Sequence, residues 1–288
     1  MYQIDCGVET VTNKYRVDDA LLHKKNLGKH TLTEIIIKGR YSTTSWAGKF
    51  FHYTSPEGLK GILQSRILFF TDCQYLNDYN EKLSINVELD LFWHNHQQNY
   101  DQEFLNLIKD IYVDTYEDSG FSYMDGSNNP TIYRYFILST SYDSDSLSMW
   151  KYYAKNNTYN GYCLGLTTWA LSDEWIDRET GVSIEKGDVI YSSNEKQSKI
   201  LEAVEKLYLL WCTYKKSDVL NKKIIDEFRS WTSITALFFK NGCFASEKEY
   251  RFVAIAPVNQ LKDLYYEYKG IQYKMYDFRL VDGVLTHT

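Results

Sequence analysis

Runs of apolar residues with a period of two alternate along the chain with runs of period near 3.6, and each run predicts an element. Lys49–Ser55 (KFFHYTS) is aromatic, β-favouring and ends in Ser-Pro. Ser55 can cap a helix there, Pro56 suits its first position, and Glu57 complements the positive end of the dipole. A strand therefore feeds directly into a helix over Pro56–Gln64. Ile67–Asp72 (ILFFTD) reads as a second strand, and Tyr79 to about Asp114 as polar and mostly helical. Ser119–Pro130 (SGFSYMDGSNNP) is a loop, and Thr131–Tyr142 (TIYRYFILSTSY) is a long strand. Leu147–Ala154 is short and helical, Asn160-Gly161 marks a tight turn, and Tyr162–Leu166 is a strand. Positions 200, 201, 204, 207, 208 and 211, then 220, 224, 228, 231, 234 and 238, keep the helical period across Ser198–Trp211 and Val219–Phe238. Glu249–Pro257 (EYRFVAIAP) and Tyr273–Val281 supply the last strands.

Tight turns and long irregular helices separate these strands in place of regular crossovers, which favours an α+β fold over a doubly wound sheet. Residues 1–45 are polar, with a short strand at Glu34–Lys38 and a Ser/Thr-rich run at Ser42–Ser45, and read as an N-terminal extension. Residues 46–288 read as a single domain with helical insertions over 79–118 and 194–240. With 288 residues, 44% hydrophobic, 24% charged and only three prolines, the chain has an ordinary globular composition. Its 32 Lys and Arg against 38 Asp and Glu leave a charge of -6, which argues against a strongly basic nucleic-acid clamp. The aromatic share of 16% fills cores first, so a functional aromatic has to be argued by position.

Five cysteines, at 6, 73, 163, 212 and 243, form no C-x-x-C pair and read as reduced, mostly buried thiols. Residues 1–30 lack an apolar leader core, and no run approaches the roughly 18 apolar residues of a membrane span, so a cytoplasmic protein without membrane contact is expected. The chain contains no phosphate-cradling G-x-x-x-x-G-K-[ST], no strand-linked G-x-G-x-x-G, no H-E-x-x-H and no G-x-S-x-G. His94 and His96 are spaced i, i+2, so their rings diverge on a helix, and no metal site is expected.

Three distant segments place polar groups on or beside apolar strands. They are Phe51-His52-Tyr53-Thr54-Ser55, then Ser139-Thr140-Ser141 followed by Met149-Trp150-Lys151-Tyr152-Tyr153, then Ser246-Glu247-Lys248-Glu249-Tyr250-Arg251. Period-two alternation would put Glu247 and Glu249 on one side. Each has a plain structural explanation: a satisfied strand histidine, hydroxyls bonding near a strand end, and a solvated strand start. In this order they resemble the ADP-ribosyltransferase superfamily. Over residues 48–255 the chain also resembles the bacterial DUF2971 family, which looks like a divergent branch of it. That resemblance rests on FHYTSPEGLKGIL, on LNDYNE with Asn77, Asp78 and Glu81, on LSTSYDSDSLSMWKYYAKNNTYNGYCLGL, and on EKEYRFV. The chain departs from the pattern by joining the histidine of one transferase class to the S-T-S of another, and by carrying Asn77-Asp78-Tyr79 where DUF2971 often has Asn-Asp-Pro.

The resemblance implies a split, mixed β-sheet whose cleft grips NAD+ as co-substrate. His52 would bond the ribose next to nicotinamide, and backbone groups at Tyr53, with Thr54 beside them, would hold the amide. Ser139 and Ser141 match the serine element, and Tyr142, Trp150 or Tyr153 would stack on the nicotinamide ring. Glu249 matches the terminal glutamate that accepts the 2′-hydroxyl proton as an oxocarbenium-like centre develops. Glu247 would face the acceptor, as would Asn77, Asp78 and Glu81, which otherwise read as turn-closing residues. The implied activity is glycosyl transfer: ADP-ribose moves from NAD+ to a protein side chain or nucleic-acid base, in a toxin or an anti-phage defence effector with an antitoxin or immunity protein as partner. The alternatives are a non-catalytic nucleotide- or partner-binding module and an NAD+ glycohydrolase.

Overall fold

The computed structural model describes residues 49–65, 68–73, 83–113, 122–123, 131–153, 161–167, 182–214, 217–257, 265–268, 270–274, 278–281 and 284–287. The segment read as an N-terminal extension, with its strand at Glu34–Lys38, lies outside them. β1 (Lys49–Thr54) runs into α1 (Pro56–Ser65), and Ser55 Oγ accepts from the Gly58 amide at 3.1 Å, the capping bond that the Ser-Pro junction predicts. The helix comes down tightly on the strand end. A Cβ at position 58 would stand 2.1 Å from Thr54 Oγ1, so this approach requires glycine.

The remaining strands of the main sheet are β2 (Thr71–Asp72), β3 (Ser122–Tyr123), β4 (Thr131–Ser141), β5 (Tyr162–Thr167), β6 (Ser183–Asp188) and β7 (Glu249–Pro257). They pair in the order β5-β1-β4-β7-β6, with β2 and β3 alongside β4, and every ladder is antiparallel. The α+β class stands, but the mixed sheet implied by the resemblance is corrected to an antiparallel one. β6 and β7 are sheet neighbours although two helices separate them in sequence, so the helical pair is inserted into a hairpin and is no parallel crossover. β6 (SIEKGD) escapes the sequence reading because half of it is charged, the composition of an edge strand, and it lies at the end of the sheet.

Three smaller departures follow. Of the described part of Ile67–Asp72 only the two residues of β2 are strand, and the stretch read as a loop at 119–130 contains β3, paired with the start of β4. The single strand expected at Tyr273–Val281 is divided between two hairpins, β8 (Tyr265–Tyr268) with β9 (Ile271–Lys274), and β10 (Phe278–Val281) with β11 (Val284–His287). Gly270, at φ 77, turns the first of them in the left-handed region.

Tyr135, Ile137, Val253 and Ile255 of β4 and β7 pack into the main core against α2 (Ser84–His96), α3 (Gln102–Ile108), α5 (Ser193–Thr213) and α6 (Asp218–Ala236). The helices bury the stripes read from periodicity: Ile200, Val204, Leu207 and Trp211 on α5, and Ile224, Phe228, Trp231 and Ile234 on α6. Glu88 bridges the helices inside this layer, accepting from Ser193 Oγ at 2.8 Å and Gln197 Nε2 at 2.7 Å. The alternate residues of the strands, Phe50, Leu138, Tyr250 and Phe252, form a second cluster in which Phe50 stacks on Tyr250 at 4.2 Å.

Candidate functional site

β1 pairs with β5 over its whole length but with β4 at one position alone, Phe51 opposite Ser141. The strands part there. His52 Nδ1 lies 3.2 Å from the Ser139 carbonyl. A carbonyl only accepts, so Nδ1 carries the proton and the neutral ring keeps a lone pair at Nε2. Burial outweighs the bond to Ser139 and lowers the His52 pKa below the ordinary imidazole value, which keeps the ring neutral.

The same register aligns Phe51, Ser141 and Glu249 across β1, β4 and β7. Ser141 Oγ donates to the Glu247 carbonyl at 2.7 Å and accepts from the Asp143 amide at 3.1 Å. The Tyr53 hydroxyl donates to the Asp143 carbonyl at 2.6 Å and accepts from the Ser146 amide at 2.9 Å. Trp150, on α4 (Leu147–Tyr153), meets the Tyr53 ring edge-on at 4.8 Å and donates to Asp145 Oδ1 at 2.9 Å. One polar network therefore ties β1, the end of β4, the turn after it and the entry to β7.

Both glutamates are interior, each 6% exposed, which overturns the solvated strand-start explanation. Glu249 accepts from Lys240 Nζ at 2.9 Å and Arg251 Nε at 2.7 Å, while Glu247 accepts from Lys240 at 2.6 Å. Arg251 Nη1 also donates to the Leu237 carbonyl at 2.7 Å, and the Glu249 amide donates to the Tyr191 hydroxyl at 3.1 Å. Burial pushes the Glu249 carboxyl up, but Arg251 and Lys240 outweigh it and hold the group down at about 2. Burial and the hydrogen bond to Glu249 push Glu247 up to about 7, so Glu247 is the member of the pair that holds a proton. Strand alternation does not bring the two together as expected. Glu247 closes a 3-10 turn (Gly242–Glu247), and Lys248 between them turns through the left-handed region at φ 46.

The single cleft that the resemblance implies, with His52 and Glu249 both on the ribose, meets the pleat of the sheet. Partners in register share a face, so His52 lies on the side of Thr140 and Tyr250, and Glu249 on the side of Ser141 and Phe51. Tyr142 belongs to the His52 side, with its hydroxyl donating to Asp188 Oδ1 at 2.6 Å and its ring packed 5.4 Å from Phe50. Trp150 belongs with Tyr53 on the other. Ser139 is half-buried opposite Arg251, and Thr54 is buried at the end of β1. Tyr153 is in the last turn of α4, and Asn77, Asp78 and Glu81 lie outside the described residues.

Sequence reasoning missed Lys240, Arg251 and Tyr191. Two signals were present: a lone lysine directly after the apolar run Leu237-Phe238-Phe239, and an arginine two residues from Glu249 within a strand of otherwise apolar residues. Of the described cysteines, Cys73 is buried and Cys163 half-buried, whereas Cys212 and Cys243 are exposed, against the expectation of mostly buried thiols. Among the described residues, no group of three or more His, Cys, Asp or Glu could hold a metal ion, and no helix is long and apolar enough to cross a membrane.

Residues 149–252, from α4 into β7, match the family model described as "Protein of unknown function (DUF2971)". The match supports that family over the C-terminal part of the 48–255 range that carries the resemblance. No curated protein and no solved structure matches the chain.

Proposed function

We propose that the protein is an ADP-ribosyltransferase that takes ADP-ribose from NAD+ to a macromolecular acceptor. One observation supports this reading above the others: the histidine, S-T-S and glutamate segments occupy three successive strands of one sheet, β1, β4 and β7, with Ser141 between Phe51 and Glu249. A dinucleotide lying across the parting of β1 from β4 would find a hydrogen-bond acceptor at His52 Nε2 for a ribose hydroxyl. Glu249, held ionised by two cations, has one lone pair left beside Lys240, Arg251 and Glu247 to accept the 2′-hydroxyl as positive charge spreads over the ribose. A Tyr142 or Trp150 face would hold the cationic nicotinamide. A well-placed carboxylate of this kind supplies about 3–4 kcal/mol to the transition state.

The two ion pairs on Glu249 also favour a second reading, a nucleotide-binding module without turnover, because a carboxylate fixed by Lys240 and Arg251 already has a structural role. The Glu249→Gln variant separates the two. The transferase reading expects nicotinamide release to fall by 10²-fold or more with NAD+ affinity kept, in protein whose melting shows it folded. NAD+ binding without release by the wild-type chain supports the module, and no NAD+ binding by either form overturns both.

A further inference from the structure

On the helical layer, Tyr100, Leu201, Glu205, Tyr208, Leu209 and Cys212 line a cleft of about 300 Å³, at the lower end of the range for small-molecule sites. None of these residues belongs to the sheet. The Tyr100 and Tyr208 rings meet edge to face at 5.1 Å. Core rings fix them from behind, Phe104 at 6.0 and 5.1 Å and Trp211 stacked on Tyr208 at 6.0 Å. Leu209, on the rim, is 68% exposed.

The charge in the cleft is of one sign. Glu205 has no hydrogen bond or ion pair among the described residues. The lysines nearest it along α5 are both turned to Glu202, Lys206 at 2.6 Å and Lys199 at 3.8 Å. A second carboxylate, Asp101, accepts from the Tyr208 hydroxyl at 3.3 Å. Burial, then the Glu205 charge, pushes the Tyr100 hydroxyl up to about 12, so the field of that carboxylate reaches the aromatic wall. Aromatic faces, aliphatic side chains and a carboxylate together complement a cation on an apolar stem and repel phosphate.

We propose that this cleft binds an organic cation, an alkylammonium or alkylguanidinium group, with its head at Glu205 against the Tyr100 and Tyr208 rings and its stem along Leu201 and Leu209. The site is independent of NAD+ turnover and stands whether or not the chain is a transferase.

Cys212 provides the readout. It lines the cleft and is exposed, while Cys243, also exposed, lies in the 3-10 turn before β7 and serves as an internal reference. The full chain is titrated with agmatine, with Nα-acetyl-arginine amide and with the neutral isostere Nα-acetyl-citrulline amide. Calorimetry reads binding, and peptide mass mapping reads alkylation at each thiol. Binding of either guanidinium compound with slower alkylation at Cys212 alone supports the proposal, and binding of the arginine amide alone assigns the cation to a polypeptide side chain. Glu205→Gln, an exposed change, is expected to weaken binding about tenfold, and Glu202→Gln to leave it within about twofold. Equal binding of the citrulline compound, affinity unchanged in Glu205→Gln, or neither heat nor protection at Cys212 overturns it.

Discussion

Lys240, Glu247, Glu249 and Arg251 form a buried quartet of two cations and two carboxyls, and the pH dependence of stability follows from how the carboxyls divide their protons. Glu249, held below its ordinary 4.5, contributes stability that is present above that value and is lost as pH falls toward 2. Glu247 is raised, so its contribution is complete below 4.5 and is lost as pH rises toward 7. The difference in unfolding free energy between wild type and Glu247→Gln should therefore change between pH 5 and 7, by on the order of 1–3 kcal/mol, with wild type losing ground as pH rises. Denaturant titrations across that range read it; a difference that stays flat contradicts the protonated Glu247. Lys248 carries a backbone conformation that costs a non-glycine residue about 1 kcal/mol, and its own ion pair with Asp143, at 3.2 Å, is largely exposed and worth little. Lys248→Gly should raise the melting temperature by roughly 2 °C, and a fall would mean that the exposed pair outweighs the strain. Taken singly, the E-K-E run passes for a solvated strand start, because it carries no mark of what covers it. The cover comes from Lys240, in the segment between α6 and β7, and from Tyr191, 58 residues away in the chain.

The periodic elements were legible because their patterns are strong. β1 with its Ser-Pro exit, β4, β7 and the stripes of α5 and α6 lie where alternation and the 3.6 repeat place them. β6 was hidden because an edge strand has one unpaired side and tolerates Glu185, Lys186 and Asp188 in a run of six. The last strands were merged because no composition break separates them. The junction of β1 and α1 can be tested directly. A methyl group at position 58 meets the side chain of Thr54, whose branched Cβ leaves little rotamer freedom. Gly58→Ala should thus cost about 1–3 kcal/mol in spite of alanine's better helix propensity, measured by equilibrium unfolding. A stabilised variant would mean that α1 can lift from the strand without loss, and with it the end of β1 beside His52.

The whole sheet shows what order along a chain can and cannot reveal. The sequence of segments, histidine then S-T-S then E-x-E, became a sequence of neighbouring strands, and this adjacency is the strongest support for NAD+ chemistry. The face on which each side chain lies was illegible, because it depends on the one pairing of Phe51 with Ser141 between strands that otherwise diverge. That pairing sets His52 opposite in face to Glu249, so a dinucleotide that touched both would have to pass through the parting of the strands. The most direct measurement incubates the purified full chain and a cell lysate with NAD+ isotopically labelled in the ADP-ribose moiety, and follows nicotinamide release and macromolecular label by mass spectrometry. The account predicts release above the blank, with label on a protein or nucleic acid, and loss of both in folded Glu249→Gln. Intact NAD+ after incubation with wild type, or equal release by the variant, would contradict it.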